Sequence, residues 1–69
     1  MKLSARNVIP GKIVSIKKGP ISSLVVIEIA PGIRLTSTVT ADAVIDLKLK
    51  KGSAAWAIIK APNVILGVD

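Results

Sequence analysis

The 69-residue chain contains no cysteine and no histidine. Disulfide staples are excluded, and so is nucleophilic chemistry that needs a thiolate or a histidine base beside a Ser or Thr. A structural zinc site would have to be assembled from four carboxylates, a ligand set zinc seldom takes. Acids are themselves scarce. Glu28, Asp42, Asp46 and Asp69 are the only ones. Asp42 and Asp46 stand one helical turn apart, a spacing open to acid–base work but far more common on a solvated helix face. No catalytic site is expected. Gly11-Lys12 and Lys17-Lys18-Gly19 lack the spacing of a phosphate-cradling loop and read as turns. Long apolar runs are missing too. Leu24–Ile27 and Ala54–Ile59 fall far short of the roughly 18 residues a membrane helix needs, so no membrane partner is expected. Trp56 is the single aromatic.

What the chain does hold is strand formers and positive charge. Hydrophobic residues make up 51% of it, and mean hydropathy is +0.65. A chain this short buries only about 60% of the surface its unfolded form exposes, so so much apolar surface predicts a homo-oligomer. Ten Lys and Arg against four acids give a formal charge of +6, which calls for an anionic partner. Nucleic acid, an acidic membrane surface and a small oxyanion all satisfy that charge. Lys2, Ser4, Arg6 and Asn7 leave no room for a secretory h-region, so the cytoplasm is the expected compartment.

Asn7 to Ile16 reads as a first strand, disturbed at Pro10-Gly11 by an edge position or a bulge. Lys17-Lys18-Gly19-Pro20 is a turn. Residues 22 to 29 form the second strand, and its unbroken Leu24–Ile27 predicts burial on both faces, hence a second layer or a neighbouring subunit. After the turn at Ala30-Pro31-Gly32, Ile33 to Thr40 alternate as a third strand. Thr40 is then a good N-cap for a two-turn helix carrying Asp42, Ala43, Val44 and Leu47. Lys50-Lys51-Gly52-Ser53 ends that region, Ala54–Ile59 is a fourth strand, Lys60-Ala61-Pro62-Asn63 interrupts, and Val64–Val68 is a fifth. The expected fold is all-β: a five-stranded Greek-key barrel of the OB-fold kind, with one short helix between strands 3 and 4. A single domain over residues 1–69 accounts for the whole chain.

Two segments concentrate hydrogen-bond donors. Ser4-Ala5-Arg6-Asn7 offers a hydroxyl, a guanidinium fork and an amide, with small Ala5 allowing close approach to backbone N–H groups. Lys60 stands at a strand exit fixed by Ala61-Pro62. Lys60, Arg6, Ser4 and Thr40 together would supply two cations and two hydroxyls with no acid nearby in sequence, a set suited to a small dianion whose oxygens only accept. A basic OB-fold could equally bind single-stranded nucleic acid. Such binders stack bases on aromatic platforms, however, and Trp56 within Ala55–Ile59 reads as core or subunit interface, so no nucleic acid is expected.

Ser4-Ala5-Arg6-Asn7, Val39-Thr40-Ala41-Asp42-Ala43 and Ile59-Lys60-Ala61-Pro62-Asn63-Val64, taken together, resemble the signatures of the molbindins, small cytoplasmic molybdate-binding proteins built from one Mop domain of the TOBE type. The resemblance covers essentially the whole chain. It implies an OB-like barrel, a hexamer, and molybdate or tungstate held between subunits for molybdenum storage and homeostasis. By motif, Ser4 and Arg6 would bind the oxyanion with Lys60, the Thr40 hydroxyl and the main chain around Ala5 and Ala61, with Asn7 beside them. It implies no cofactor other than that ligand. Related domains often carry serine where this chain has Ala43, which leaves only backbone there to contribute.

Overall fold

The computed structural model describes all of residues 1–69. β1 (Asn7–Lys18), β2 (Ser22–Ala30) and β3 (Ile33–Thr40) form an antiparallel meander, followed by α1 (Ala41–Asp46) and β4 (Ala54–Ile59). β4 returns to the far side of β1, giving one sheet in the order β3-β2-β1-β4. The expected barrel order is present, with four strands in place of five. Val64–Val68 is the expected fifth. Its composition is that of a strand, but it pairs with neither edge of the sheet and stays exposed and irregular.

β1 carries the architecture because it is paired on both sides over different halves. Asn7 to Lys12 pair with β4, from Asn7↔Ile59 to Lys12↔Ala54, while Lys12 to Lys18 pair with β2. It runs unbroken through Pro10-Gly11. Ile13 both donates to and accepts from the β4 side, through Ser53 and Gly52, so the even-numbered residues of this stretch face the β2 side. Below Lys12 that side has no partner, and Pro10 therefore removes a donor that nothing would have used. The edge reading of Pro10 is the one realised; a bulge is found further on, between Ile13 and Ser15. Gly11 is required by packing: a Cβ there would lie 2.7 Å from the Glu28 carbonyl oxygen and 2.7 Å from Ile27 Cγ1.

The core is small. Ile13, only 1% exposed, meets its cross-strand partner Ile27 and is joined by Val25 and Val44 in the buried set. Within the chain, Leu24–Ile27 is buried on one face only: Val25 and Ile27 are inside, and Leu24 is exposed. Trp56 is not core either. It is 55% exposed, opposite Pro10 on the outer face, next to the exposed pair Val8 and Ile58.

α1 starts as expected. Thr40 accepts a hydrogen bond on its side-chain oxygen from the Ala43 N–H at 3.0 Å. It stops by a Schellman arrangement, in which Lys48 N–H donates to the Ile45 carbonyl at 3.1 Å and Leu49 N–H to the Val44 carbonyl at 2.9 Å. That geometry puts Lys48 at φ 52°, a left-handed conformation usually left to glycine.

Candidate functional site

The start of β1 and the end of β4 are tied together twice. Asn7 pairs with Ile59 in the ladder, and the Asn7 side-chain Nδ2 donates to the Ile59 carbonyl at 3.1 Å in a partly buried position. The ladder ends at this pair, so Arg6 and Lys60 are the next residues outward from the same end of the sheet, Arg6 in a bend and Lys60 opening the 3-10 turn. Two segments more than fifty residues apart in sequence thus become neighbours. Asn7 acts here as a clamp, with one of its two amide N–H donors given to the backbone.

Lys60 is fixed in backbone though exposed in side chain. It is the extended residue (φ −69°, ψ 141°) that opens a 3-10 turn at Ala61–Asn63, with Pro62 inside it. Its carbonyl accepts from the Asn63 N–H at 2.9 Å, so the strand exit cannot swing freely. Arg6 and Ser4 are exposed and Ala5 half-buried. Neither Arg6 nor Lys60 has an acid partner: the chain's one ion pair is Arg34 Nε to Glu28 Oε2 at 3.1 Å, on β3 and β2. Two unneutralised cations at one end of the sheet repel, and an anion between them removes that repulsion while gaining charge-assisted hydrogen bonds.

Thr40 lies elsewhere. It pairs with Ser22, and Ser23 pairs with Lys18, so Thr40 belongs to the Lys18 end of β1 whereas Arg6 and Lys60 belong to the Asn7 end. Twelve residues of strand separate the two ends, a contour of about 36 Å. Ser4 to Asn7 and Lys60-Ala61 therefore flank the same end of the sheet, and Thr40 lies at the other. The Thr40 hydroxyl accepts from Ala43, which leaves its own O–H free to donate to an acceptor. The same bond consumes the Ala43 N–H, so the backbone contribution expected of Ala43 is not available. No three of the chain's carboxylates converge into a group able to hold a metal ion. No helix is long and apolar enough to cross a membrane.

A donor-rich, acid-free corner on an OB-type sheet agrees with what comparison with known proteins finds. The TOBE domain model matches residues 3–66. The chain belongs to the TOBE domain family. Among TOBE relatives, a Haemophilus influenzae protein named "Probable molybdenum-pterin-binding protein" is 49% identical over 69 residues, covering 100% of both chains. The structure described as "MopII from Clostridium pasteurianum (apo2)" superposes with a TM-score of 0.90 at 39% identity, over 97% of this chain and 100% of that one. The cytoplasmic molybdate-binding protein ModG, in a form with molybdate bound, superposes with a TM-score of 0.94 at 45% identity. This chain spans 49% of ModG's length. The TOBE family is a binding family, and the four-stranded sheet described above is its OB-like fold.

Sequence reasoning found the two donor segments but missed that Asn7 also clamps a strand end and that the Ala43 N–H is taken by a cap. Both side chains or N–H groups satisfy local backbone needs, a cap and a strand-end clamp, which donor inventories do not register. A polar residue directly facing a strand terminus is the signal that could have revealed the first.

Proposed function

We propose that the protein binds molybdate, without catalysis and without a further cofactor, as a cytoplasmic homo-oligomer serving molybdenum storage, with residues 1–69 forming one domain. The observation that carries this reading is the Asn7–Ile59 pairing, which puts the segments that bear Arg6 and Lys60 at one end of the sheet, with no acid paired to either. Ser4 supplies a hydroxyl and Ala5 and Ala61 supply backbone N–H groups. Thr40, out of reach in its own chain, completes the set from a second chain.

Molybdate is a tetrahedral dianion at neutral pH, so its oxygens are acceptors only. A cage of donors replaces its hydration shell with bonds of fixed direction, and the two cations offset the cost of removing a dianion from water. Size does the discriminating. Sulfate has the same charge and shape but is smaller and contacts fewer donors at once, whereas tungstate is nearly isosteric with molybdate and is accepted. Oligomerisation to a hexamer is supported by apolar surface left outside: Val8, Trp56 and Ile58 are exposed on one continuous outer face.

Equilibrium dialysis against molybdate at physiological salt, with sulfate in large excess, tests this. Saturable molybdate retention that sulfate does not displace is the expected outcome. Displacement by sulfate at comparable concentration would mean a diffuse basic surface.

A further inference from the structure

Outside the oxyanion corner, positive charge is densest between α1 and β4. Lys48, Lys50 and Lys51 occupy three of four consecutive positions there, and all three are exposed. Lys12 on β1, also exposed, pairs with Ala54 at the start of β4 and so stands beside the end of this loop. None of the four has an acid partner. The chain's one ion pair joins Arg34 to Glu28, so the acid across from Lys12 is already engaged.

The loop that carries these lysines is braced. Lys50 to Ser53 form a turn in which the Ser53 N–H donates to the Lys50 carbonyl at 3.0 Å. Lys51 sits at its tip, and Gly52 follows at φ 93°, a positive value that favours glycine at the third residue of a turn. The Ser53 hydroxyl ties the turn a second time, donating to the Lys50 carbonyl at 2.6 Å and accepting from the Lys50 N–H at 3.2 Å. Upstream, the Lys48 and Leu49 N–H groups close the end of α1. Downstream, the Gly52 N–H donates to the Ile13 carbonyl at 2.8 Å, and the Ser53 carbonyl accepts from the Ile13 N–H at 2.9 Å. Ile13 is the most deeply buried residue of the chain, so the loop is bonded straight to the core.

The chemistry of the patch selects among anionic partners. No arginine and no aromatic lies in the loop, so it provides neither bidentate phosphate recognition nor a platform for bases. A lipid surface takes a cluster of about four to eight cations, and Asp42 and Asp46, exposed on the helix that leads into the loop, oppose a uniformly negative surface. A protein surface can match the mixture. Its carboxylates meet the three lysines, a basic side chain meets the α1 acids, and Ile45, 71% exposed beside Asp46, supplies apolar contact. A braced backbone also lowers the ordering cost of binding.

We infer that the loop from Lys48 to Ser53 docks an acidic face of another protein, at a place separate from the oxyanion corner. β4 lies between the two: the loop precedes Ala54 and Lys60 follows Ile59, with six residues of strand, or about 20 Å, in between. Like charges gathered on one loop repel one another in the free protein, and a partner's carboxylates remove that repulsion. The encounter is steered by charge, so it is fast and weakens as salt rises. A protein can thereby be held while the corner stays free for its own ligand. The inference stands whether or not that ligand is molybdate.

A short fluorescein-labelled poly-L-glutamate peptide serves as the probe, with its anisotropy followed against the full chain at physiological salt. The double variant Lys50→Gln, Lys51→Gln should bind it at least about fivefold more weakly than wild type. Lys17→Gln, Lys18→Gln removes the same charge from the end of β1 and should change binding by less than about twofold. Ser53→Ala keeps every charge but removes both side-chain bonds to Lys50, and it should weaken binding about two- to threefold, an effect that net charge alone does not produce. Equal losses for the two lysine pairs, or unchanged affinity in Lys50→Gln, Lys51→Gln, overturn the inference. So does tighter binding of a single-stranded oligonucleotide of equal charge, or of phosphatidylglycerol vesicles, through the same two lysines. Unchanged affinity in Ser53→Ala overturns the part assigned to the brace.

Discussion

Replacing Gly11 with alanine tests the close packing of β1 against β2. Gly11 sits one residue before the point where β1 passes from pairing with β4 alone to pairing with both neighbours. The added Cβ would meet the Glu28 carbonyl oxygen at 2.7 Å, Ile27 Cγ1 at 2.7 Å and Ile27 Cδ1 at 2.9 Å. Ile27 is buried against Ile13, so rotating it away opens space in the one dense part of the core, and the Glu28 carbonyl moves only with the β2 backbone. Forced overpacking of this kind costs about 1–3 kcal/mol. Alanine returns about 0.4–1 kcal/mol by restricting the unfolded chain. The net loss of about 1–2 kcal/mol corresponds to a fall in Tm of about 5–15 °C in a domain this size. Circular dichroism melting, with wild type and variant at one fixed protein concentration because an oligomer's Tm depends on it, reads the shift. A Tm within about 2 °C of wild type would refute the close approach of β1 to β2 at Gly11.

Arg6→Ala and Lys60→Ala should each weaken molybdate binding about 10- to 100-fold, the equivalent of one charge-assisted hydrogen bond, whereas Lys50→Ala should change it by less than about threefold. Equal effects at all three positions in calorimetric titrations would point to a diffuse field. Asn7→Ala removes the bond to the Ile59 carbonyl, so melting should show a loss of about 0.5–1.5 kcal/mol, and molybdate affinity should fall even though Asn7 need not touch the ligand. Asn7→Asp, which lacks the donor, should behave the same way. Lys48→Gly relieves the left-handed backbone at φ 52° and should raise stability by about 0.5–1 kcal/mol, with molybdate binding unchanged. A lower Tm for that variant would mean the helix end is not closed as described.

Local rules carried most of the fold into view. Alternation located β3, Thr40 with the acid at position 42 marked the start of α1, and turn residues separated the strands. Strand order followed from the sequence of elements. Pairing across a long sequence separation did not. Val64–Val68 looks like a strand by composition, but a strand is defined by its partner, and the partner edge is not encoded in the five residues themselves. Burial misled for a related reason: the apolar run Leu24–Ile27 and the exposed Trp56 carry more hydrophobic surface than one chain of this length can cover. At the site, the donor types of Arg6, Ser4 and Lys60 were legible because charge without nearby acid is a property of the sequence. The separation of Thr40 from them was not, because it follows from which end of β1 each strand reaches.

Calorimetric titration of the purified wild-type protein with molybdate at physiological salt, beside sulfate and a short single-stranded oligonucleotide, reaches the central claim most directly. Saturable molybdate heat with a defined stoichiometry per chain, little response to sulfate and weak dependence on salt is the result predicted for two cations and oriented donors around a caged dianion. Absent molybdate heat together with oligonucleotide binding that falls steeply as salt rises would contradict it, and would assign the charge of +6 and the exposed Trp56 to a nucleic-acid surface instead.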